Sequence, residues 1–422
     1  MLRFAPSPTS DMHIDSLRLA IFNYIVSRQK NEGFIVRIED TDKKSNIDGK
    51  DKEILDILGV FGIEYSQVIH QSENVRFHTA MALQLMHEKK AFSCFCSDNW
   101  LNKKRQEAKD ANIEYTYDDA CRNLPAELVI DNDNPFTVRV TRPDNAIIMN
   151  DQIKGKLNFD KDSVDSFVIM TQNKIPTYNF SCAVDDMLSD ISMIIRSEKN
   201  ITNTPKQDHI RTSLSYDKKI EYAHLPTIDN ESPSVKSLLE DGFLPDAIVN
   251  YLILMGNDTP QEIFNMNDAI EWLDLSKISD KPVHFDINIL KNINHQHLNN
   301  LDAKELSRYV GFADEDIGKL AKVYLTEAST TKELKSKIAP IFKSKELPKE
   351  LAGSAKAIAE VIKNAPFFKE YTEFENYVLK ESKLDKNKFL KTFRYILTNT
   401  ENGPDIADIY KYLKNYIGEI IK

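Results

Sequence analysis

Three of the chain's four cysteines fall close together as Cys94-Phe-Cys96 and, after 24 intervening residues, Cys121. Thiolates are soft ligands, and a close pair plus one more supplies three corners of a tetrahedral zinc site that still needs a fourth. The plainer reading is three buried free thiols. A second stretch able to do chemistry opens the chain: Phe4-Ala-Pro-Ser-Pro-Thr-Ser-Asp-Met-His-Ile-Asp-Ser-Leu-Arg18. A strand end, a proline-fixed turn and a helix start aim backbone N–H groups and a helix dipole at whatever sits above, which suits a phosphate. His13 lies near that helix start, where its imidazole can contact a phosphate or a leaving oxygen; capping or simple exposure is the bland alternative. Arg37-Ile-Glu-Asp-Thr-Asp42 then sets a guanidinium beside carboxylates, either a binding group or a surface salt bridge at a strand end.

Elements that would position these residues follow from periodicity. Leu2 to Ala5 is a short apolar run, and Ser16 to Lys30 places Leu17, Ala20, Ile21, Tyr24 and Ile25 on one helical face. Gly33 breaks that helix. Phe34-Ile-Val-Arg-Ile reads as a buried strand, and Ile54, Leu55, Ile57, Leu58 and Phe61 mark a second amphipathic helix. Strand, helix, strand, helix predicts a parallel sheet with right-handed crossovers, a Rossmann-like α/β start. The middle, about 93–165, carries the cysteines, Asn/Asp-rich loops and a strand near Phe136 to Thr141. Phe167-Val-Ile-Met is expected to return to the parallel sheet, and from about 238 the pattern is helical to Ile420.

Composition narrows the classes. The 422 residues are 41% hydrophobic and 28% charged, which describes a globular chain rather than a disordered or fibrous one. The N-terminus has no apolar signal-peptide core, and the most apolar stretch, Ala247 to Gly256, is half the length of a membrane span, so no membrane partner is expected. Four cysteines fit a reducing cytosol and a cytoplasmic protein. The net charge of −10 argues against a protein that coats nucleic acid. It is unevenly spread, because residues 301–422 hold 22 Lys and Arg against 19 Asp and Glu, a weak hint of a polyanion site there. Glycine is scarce, 12 where average usage gives roughly 30.

The motifs gain meaning in sequence. After the opening segment and Arg37-Ile-Glu-Asp-Thr-Asp42 come Pro176-Thr-Tyr-Asn-Phe180, Val184-Asp-Asp186, Ile195-Arg196, Asn203-Thr-Pro-Lys-Gln207 and Ala223-His-Leu-Pro226. In this order the set resembles the bacterial glutamyl-tRNA synthetases, class I enzymes that activate glutamate with ATP and attach it to tRNA. The resemblance runs by motif from Leu2 to about Asn257 and more loosely beyond. It implies a Rossmann-like catalytic domain split as 1–92 and 166–236, an acceptor-binding-like insertion at 93–165, a helical connecting domain at 237–300 and an all-helical anticodon-binding-like domain at 301–422. It implies tRNA and glutamate as partners, a monomer, and a glutamate site of Arg3, Ser7, Glu39, Tyr178 and Arg196. Guanidinium groups grip carboxylates bidentately, so Arg196 suits the side-chain carboxylate and Arg3 a second oxygen pair. Some family members bind structural zinc through Cys-x-Cys and Tyr-x-x-x-Cys, which here implies Cys94, Cys96, Tyr117 and Cys121, with Asp118, Asp119 or water as alternatives to the tyrosine.

The same resemblance predicts trouble with ATP and its Mg2+. Family members read Ser-Pro-Thr-Gly-x-x-His-Ile-Gly, and both glycines are replaced, by Ser10 and Asp15. Asp15, next to the catalytic-motif His13, brings a carboxylate toward a polyphosphate; two unit charges about 4 Å apart repel by about 4 kcal/mol at an effective dielectric of 20. Arg196-Ser-Glu-Lys-Asn200 stands where the family has Arg-Gly-Glu-Asp-His. Pro226 runs through Thr-Ile-Asp-Asn-Glu-Ser-Pro-Ser-Val to Lys236, with no Lys-x-Ser-Lys loop; Lys199, Lys206 and Lys236 are the candidates to replace its lysine. The expectation is a glutamate–tRNA ligase family protein with impaired adenylation, the alternative an inactive paralogue that binds glutamate or tRNA.

Overall fold

The computed structural model describes residues 1–230 and 232–421. It divides into two compact units, one of residues 1–235, 252–262 and 266–285, the other of 236–251, 263–265 and 286–422.

The first unit is α/β. Its elements are β1 (Leu2–Phe4), α1 (Ile14–Gln29), β2 (Phe34–Ile38), α2 (Lys50–Val60), β3 (Gln67–His70), α3 (Val75–His87), β4 (Ala91–Cys94), α4 (Asp98–Asp110), α5 (Ala126–Ile130), β5 (Thr137–Val140), β6 (Ile147–Asp151), β7 (Gly155–Phe159), β8 (Val168–Met170), α6 (Tyr178–Leu188), β9 (Met193–Ser197), α7 (Thr204–Ser213) and β10 (Glu221–Leu225). β1, β2 and β3 pair in parallel in that order. β6, β10 and β9 form a second parallel ladder, to which β7 adds antiparallel. The two ladders meet where the Ser192 amide donates to the Met1 carbonyl at 2.9 Å. Crossovers therefore leave in opposite directions from β1 and β9, the switch point where open α/β sheets place their ligands.

Helix α1 is more deeply enclosed than a one-faced amphipathic helix. Leu17, Ala20, Ile21, Phe22, Ile25 and Val26 are buried, but so are Arg18 and Asn23. Burying Arg18 requires acceptors, and its guanidinium donates to the carbonyls of Pro226, Leu252 and Met255 at 3.1, 3.2 and 2.7 Å. Burial still lowers its pKa to about 10.

One element departs from expectation. The Phe167–Met170 run does not rejoin the parallel sheet; β8 pairs antiparallel with β5, which pairs antiparallel with β4. An apolar run of three or four residues carries no information about its partner, and here Ile169 and Met170 complete a core with Val138, Val140 and Phe180.

Among the described residues every element after β10 is a helix, joined by loops. The apolar stretch from Ala247 runs through the helix Pro245–Leu254 into the turn at Met255 and Gly256, and no helix of the described residues is long and apolar enough to cross a membrane. The second unit closes on its own core of Ile358, Phe374, Val378, Phe389, Phe393 and Tyr410, with Phe389 and Phe393 stacked at 4.9 Å.

Candidate functional site: two neighbouring cavities and a thiol cluster

At the switch point the ends of β1, β2 and β9 and the start of α6 surround a cavity of about 80 Å³ lined by Arg3, Glu39, Tyr178, Cys182, Arg196 and Asn200, among others. Four of the five residues expected to hold glutamate are thus brought together. Ser7 is not among them; it lies exposed in the turn after β1.

Register explains how the cations are held. Arg3 is opposite Ile35 across β1 and β2, and Arg37 stands two residues on, so both guanidinium groups share one face of the sheet. Asp186 of α6 reaches that face. It accepts from Arg3 Nε at 3.1 Å and Arg37 Nη1 at 2.6 Å, with all three side chains buried. Arg37 also pairs with Glu39 at 3.3 Å, so the Arg37–Glu39 contact is not a surface salt bridge. Burial alone would raise the Asp186 carboxyl, but the two guanidinium groups outweigh it and hold it well below the carboxylate range. Glu39 accepts from Cys182 Sγ at 3.1 Å, and the Tyr178 hydroxyl reaches Asn200 Oδ1 at 3.5 Å. Counting Arg3, Arg37 and Arg196 against Asp186 and Glu39, the site carries one net positive charge. Asp186 belongs to a motif singled out in the sequence, but nothing in its spacing shows that it joins two arginines.

A second cavity adjoins the start of α1. It is lined by Asp15, Arg18, Leu19, Ser197, Lys199, Leu225, Pro226, Thr227 and Ile228 and measures about 30 Å³. Asp15 is exposed, its Oδ1 accepting from the Ser16 amide at 2.9 Å. Ser197 caps the following helical turn, accepting from the Lys199 amide at 3.4 Å. Ser10 is exposed in the opening turn.

Among its described residues the connection from Pro226 to Val235 is pinned at several points. Thr227 donates through its amide and hydroxyl to Glu198 at 2.8 and 3.0 Å, and its carbonyl accepts from the Val283 amide. The Ser232 carbonyl lies 2.6 Å from His13 Nδ1, the Pro233 carbonyl accepts from the Ile14 amide at 3.2 Å, and the Val235 amide donates to the Met12 carbonyl at 2.8 Å. The imidazole and the first amide of α1 thus face carbonyls of this segment. Of the substitute lysines, only Lys199 lines the small cavity; Lys206 lies 5.8 Å from the Phe167 ring centroid and Lys236 is exposed.

The thiol cluster sits at the end of β4. The sulfurs of Cys94, Cys96 and Cys121 lie within 4.8 Å of one another. The Tyr117 hydroxyl is 3.4 Å from both Cys94 and Cys96. Zinc–thiolate bonds of about 2.3 Å at a tetrahedral angle require sulfurs about 3.8 Å apart, so three thiols and the phenol fit the ion. Asp119 is engaged by Arg142 at 3.0 Å and Asp118 is exposed, accepting from the Ala120 amide. Arg139 was not legible as part of this group: its guanidinium lies 3.8 Å over the Tyr117 ring and its Nε donates to Cys94 Sγ at 3.3 Å. Burial raises the Cys94 thiol, yet hydrogen bonds from Tyr117, the Cys96 backbone and Arg139 bring it down to about 7, whereas burial drives Cys96 up to about 12.

The model of the class I tRNA synthetases (E and Q), catalytic domain, matches residues 1–292. This chain belongs to that family. Relatives extend the match over the whole length: it is 60% identical to Glutamate–tRNA ligase 2 of Sulfurimonas denitrificans and 48% identical to Glutamate–tRNA ligase 2 of Campylobacter jejuni subsp. doylei, covering all of both chains in each case. Among solved structures, a glutamate tRNA ligase from Elizabethkingia meningosepticum in complex with its amino acid superposes with a TM-score of 0.82 at 22% identity, over 99% of this chain and 97% of that one. That likeness establishes the class I synthetase fold with a mostly helical C-terminal region. Both ligase alignments run over 432 positions against the 422 residues of this synthetase-family chain, so about ten positions have no counterpart here.

Proposed function

We propose that this synthetase-family chain binds glutamate in the cavity of Arg3, Glu39, Tyr178 and Arg196, engages a glutamate- or glutamine-accepting tRNA, and forms glutamyl-adenylate poorly or not at all. The family reaction has the amino acid's α-carboxylate attack the α-phosphorus of ATP with loss of pyrophosphate, Mg2+ sharing the phosphate charge. The observation that carries the reading is the asymmetry of the two cavities. The glutamate side keeps two guanidinium groups and one net positive charge, a match for an amino acid of net charge −1. The nucleotide side is a space of about 30 Å³ bordered by Pro226, Thr227 and Ile228, the start of a segment whose later carbonyls meet His13 and the first amide of α1. Asp15 adds a carboxylate where phosphates would lie, and the sequence from Pro226 to Lys236 holds no Lys-x-Ser-Lys loop, so of the charge stabilisation such a loop supplies only Lys199 at the cavity wall is left. Loss concentrated on one substrate fits a changed role better than uniform decay.

Zinc fits Cys94, Cys96, Tyr117 and Cys121, where it would tie the end of β4 to the Tyr117–Cys121 loop without touching either cavity. Its role would be structural.

The competing reading, a working ligase, rests on the full-length likeness to chains named as ligases. Glutamate-dependent ATP–pyrophosphate exchange with tRNA present separates the two. The expected result is exchange at background level while calorimetry detects glutamate binding; robust exchange at ordinary enzyme concentration overturns the proposal.

A further inference from the structure

Arg196 is held by side chains that never reach the cavity. It lies on β9 directly across from His224 on β10, so in these parallel strands the two side chains emerge on the same face. Arg196 Nε meets His224 Nε2 at 3.2 Å. A guanidinium nitrogen only donates, so Nε2 must offer its lone pair and the imidazole proton must sit on Nδ1. Nδ1 faces Asp151 Oδ2 at 2.6 Å. A carboxylate only accepts, which selects that same tautomer.

Asp151 is itself fixed. The last residue of β6, it accepts from the amides of Ile153 and Lys154 at 2.9 and 2.8 Å and from the His224 amide at 3.1 Å. Tyr222 stacks on the imidazole at 6.0 Å and 7°. Asp151 and His224 are buried, and burial lowers the histidine's pKa, so the ring stays neutral with its Nε2 lone pair available.

The rest of the guanidinium is equally constrained. Nη1 donates to Gln207 Oε1 and Nη2 to Thr204 Oγ1, both at 2.7 Å. Of five N–H groups three are committed, leaving one on each terminal nitrogen. Two remaining donors match the two oxygens of a carboxylate; a carboxamide offers one acceptor and sets an N–H against the other donor.

We infer that His224 and Asp151 are a positioning pair, fixing the plane of Arg196 through the Nδ1–H tautomer so that the cavity prefers a carboxylate side chain to a carboxamide. This rests on the reading that the cavity holds glutamate. Neither residue touches the ligand; both act through Arg196. Replacing the aspartate by its isosteric amide puts a donor opposite Nδ1 and moves the proton to Nε2, where Thr204 Oγ1 at 3.1 Å can accept it but Arg196 Nε–H loses its acceptor.

The test compares glutamate and glutamine by titration calorimetry on the full chain, with ¹⁵N NMR of labelled histidine reading the tautomer. Wild type is expected to prefer glutamate and to show the Nδ1–H form at position 224. Asp151→Asn, where it folds, is expected to retain glutamine affinity, to lose the glutamate preference at least tenfold and to show the Nε2–H form. Because Asp151→Asn removes a buried charge and risks misfolding, His224→Gln and His224→Leu form a second pair. The glutamine carboxamide oxygen replaces the Nε2 acceptor and is expected to keep the preference within threefold, while leucine loses it. If wild type binds no glutamate, the cavity reading itself fails. If wild type binds glutamate but carries the Nε2–H form, or Asp151→Asn keeps the preference, or glutamine and leucine at 224 behave alike, the positioning role is overturned and the cavity reading stands.

Discussion

Asp186 joins Arg3 and Arg37 in a buried cluster where each charge depends on the others. Removing one partner of such a group costs about 3–5 kcal/mol, because it strands a desolvated charge. Asp186→Asn is therefore expected to lower urea stability by that amount, with Arg37 left to Glu39 alone. The pH dependence has a definite sign. The folded carboxyl lies below the unfolded value of about 3.9, so its contribution is present above pH 4 and is lost as pH falls further. Acid titration of the wild type against Asp186→Asn should show the stability difference shrinking below about pH 4. Arg196→Ala should instead weaken glutamate binding at least thirtyfold in calorimetry with a smaller effect on melting. At the thiol cluster, elemental analysis should find about one zinc per chain, falling below about a tenth in Cys96→Ser, since the ion needs its thiolates. The residue types at these sites were legible in the sequence, but the partners were not. Asp186 with Arg3 is a contact 183 residues apart, and Arg139 reaches Cys94 across 45.

The Pro226–Val235 segment joins β10 to the helices that follow it. Its carbonyls and amides are engaged with Met12, Ile14 and Val283. Hydrogen exchange should accordingly find the Val235 and Ile14 amides slowed at least about a hundredfold relative to unstructured chain; fast exchange would mean a loose loop. Glycine acts at this scale as well. Of the 12 that remain, Gly318 lies in the helix Glu315–Tyr324, where an added Cβ would fall 1.6 Å from the Ala303 carbonyl oxygen. No side chain fits there, and Gly318→Ala should destabilise by several kcal/mol, as overpacked sites do. Gly353, in the helix Ala352–Lys363, meets nothing within 4 Å. Gly353→Ala should stabilise by about 0.5–1 kcal/mol through lost backbone entropy in the unfolded chain. Paired chemical melts check both signs. A low glycine count in the sequence does not distinguish a glycine that a helix crossing demands from one that is dispensable.

For the molecule as a whole, a ligand that binds only the folded state adds RT ln(1 + [L]/Kd) to its stability, about 2.7 kcal/mol at a hundredfold excess over Kd. Glutamate should therefore raise the melting temperature and ATP with Mg2+ should not. The two compact units carry separate cores, so calorimetry is expected to resolve two transitions, with glutamate moving the one that belongs to residues 1–235 and their companions. A shift on ATP, or equal shifts of both transitions, would contradict the division of labour between the cavities.

By itself the sequence determined the element pattern of the first sixty residues, the helical pattern from about residue 238, the family and the residue types that could hold glutamate and zinc. These are local or motif-borne properties, carried by periodicity and by short spacings. Only the tertiary structure decided that β8 pairs with β5, that Asp186 bridges two arginines, that Arg139 closes over the thiols and that Pro226–Val235 lies against the start of α1. Each of these brings together segments far apart in the chain, and their pairing depends on burial and on satisfying buried polar groups across the fold. No local pattern of residues encodes that.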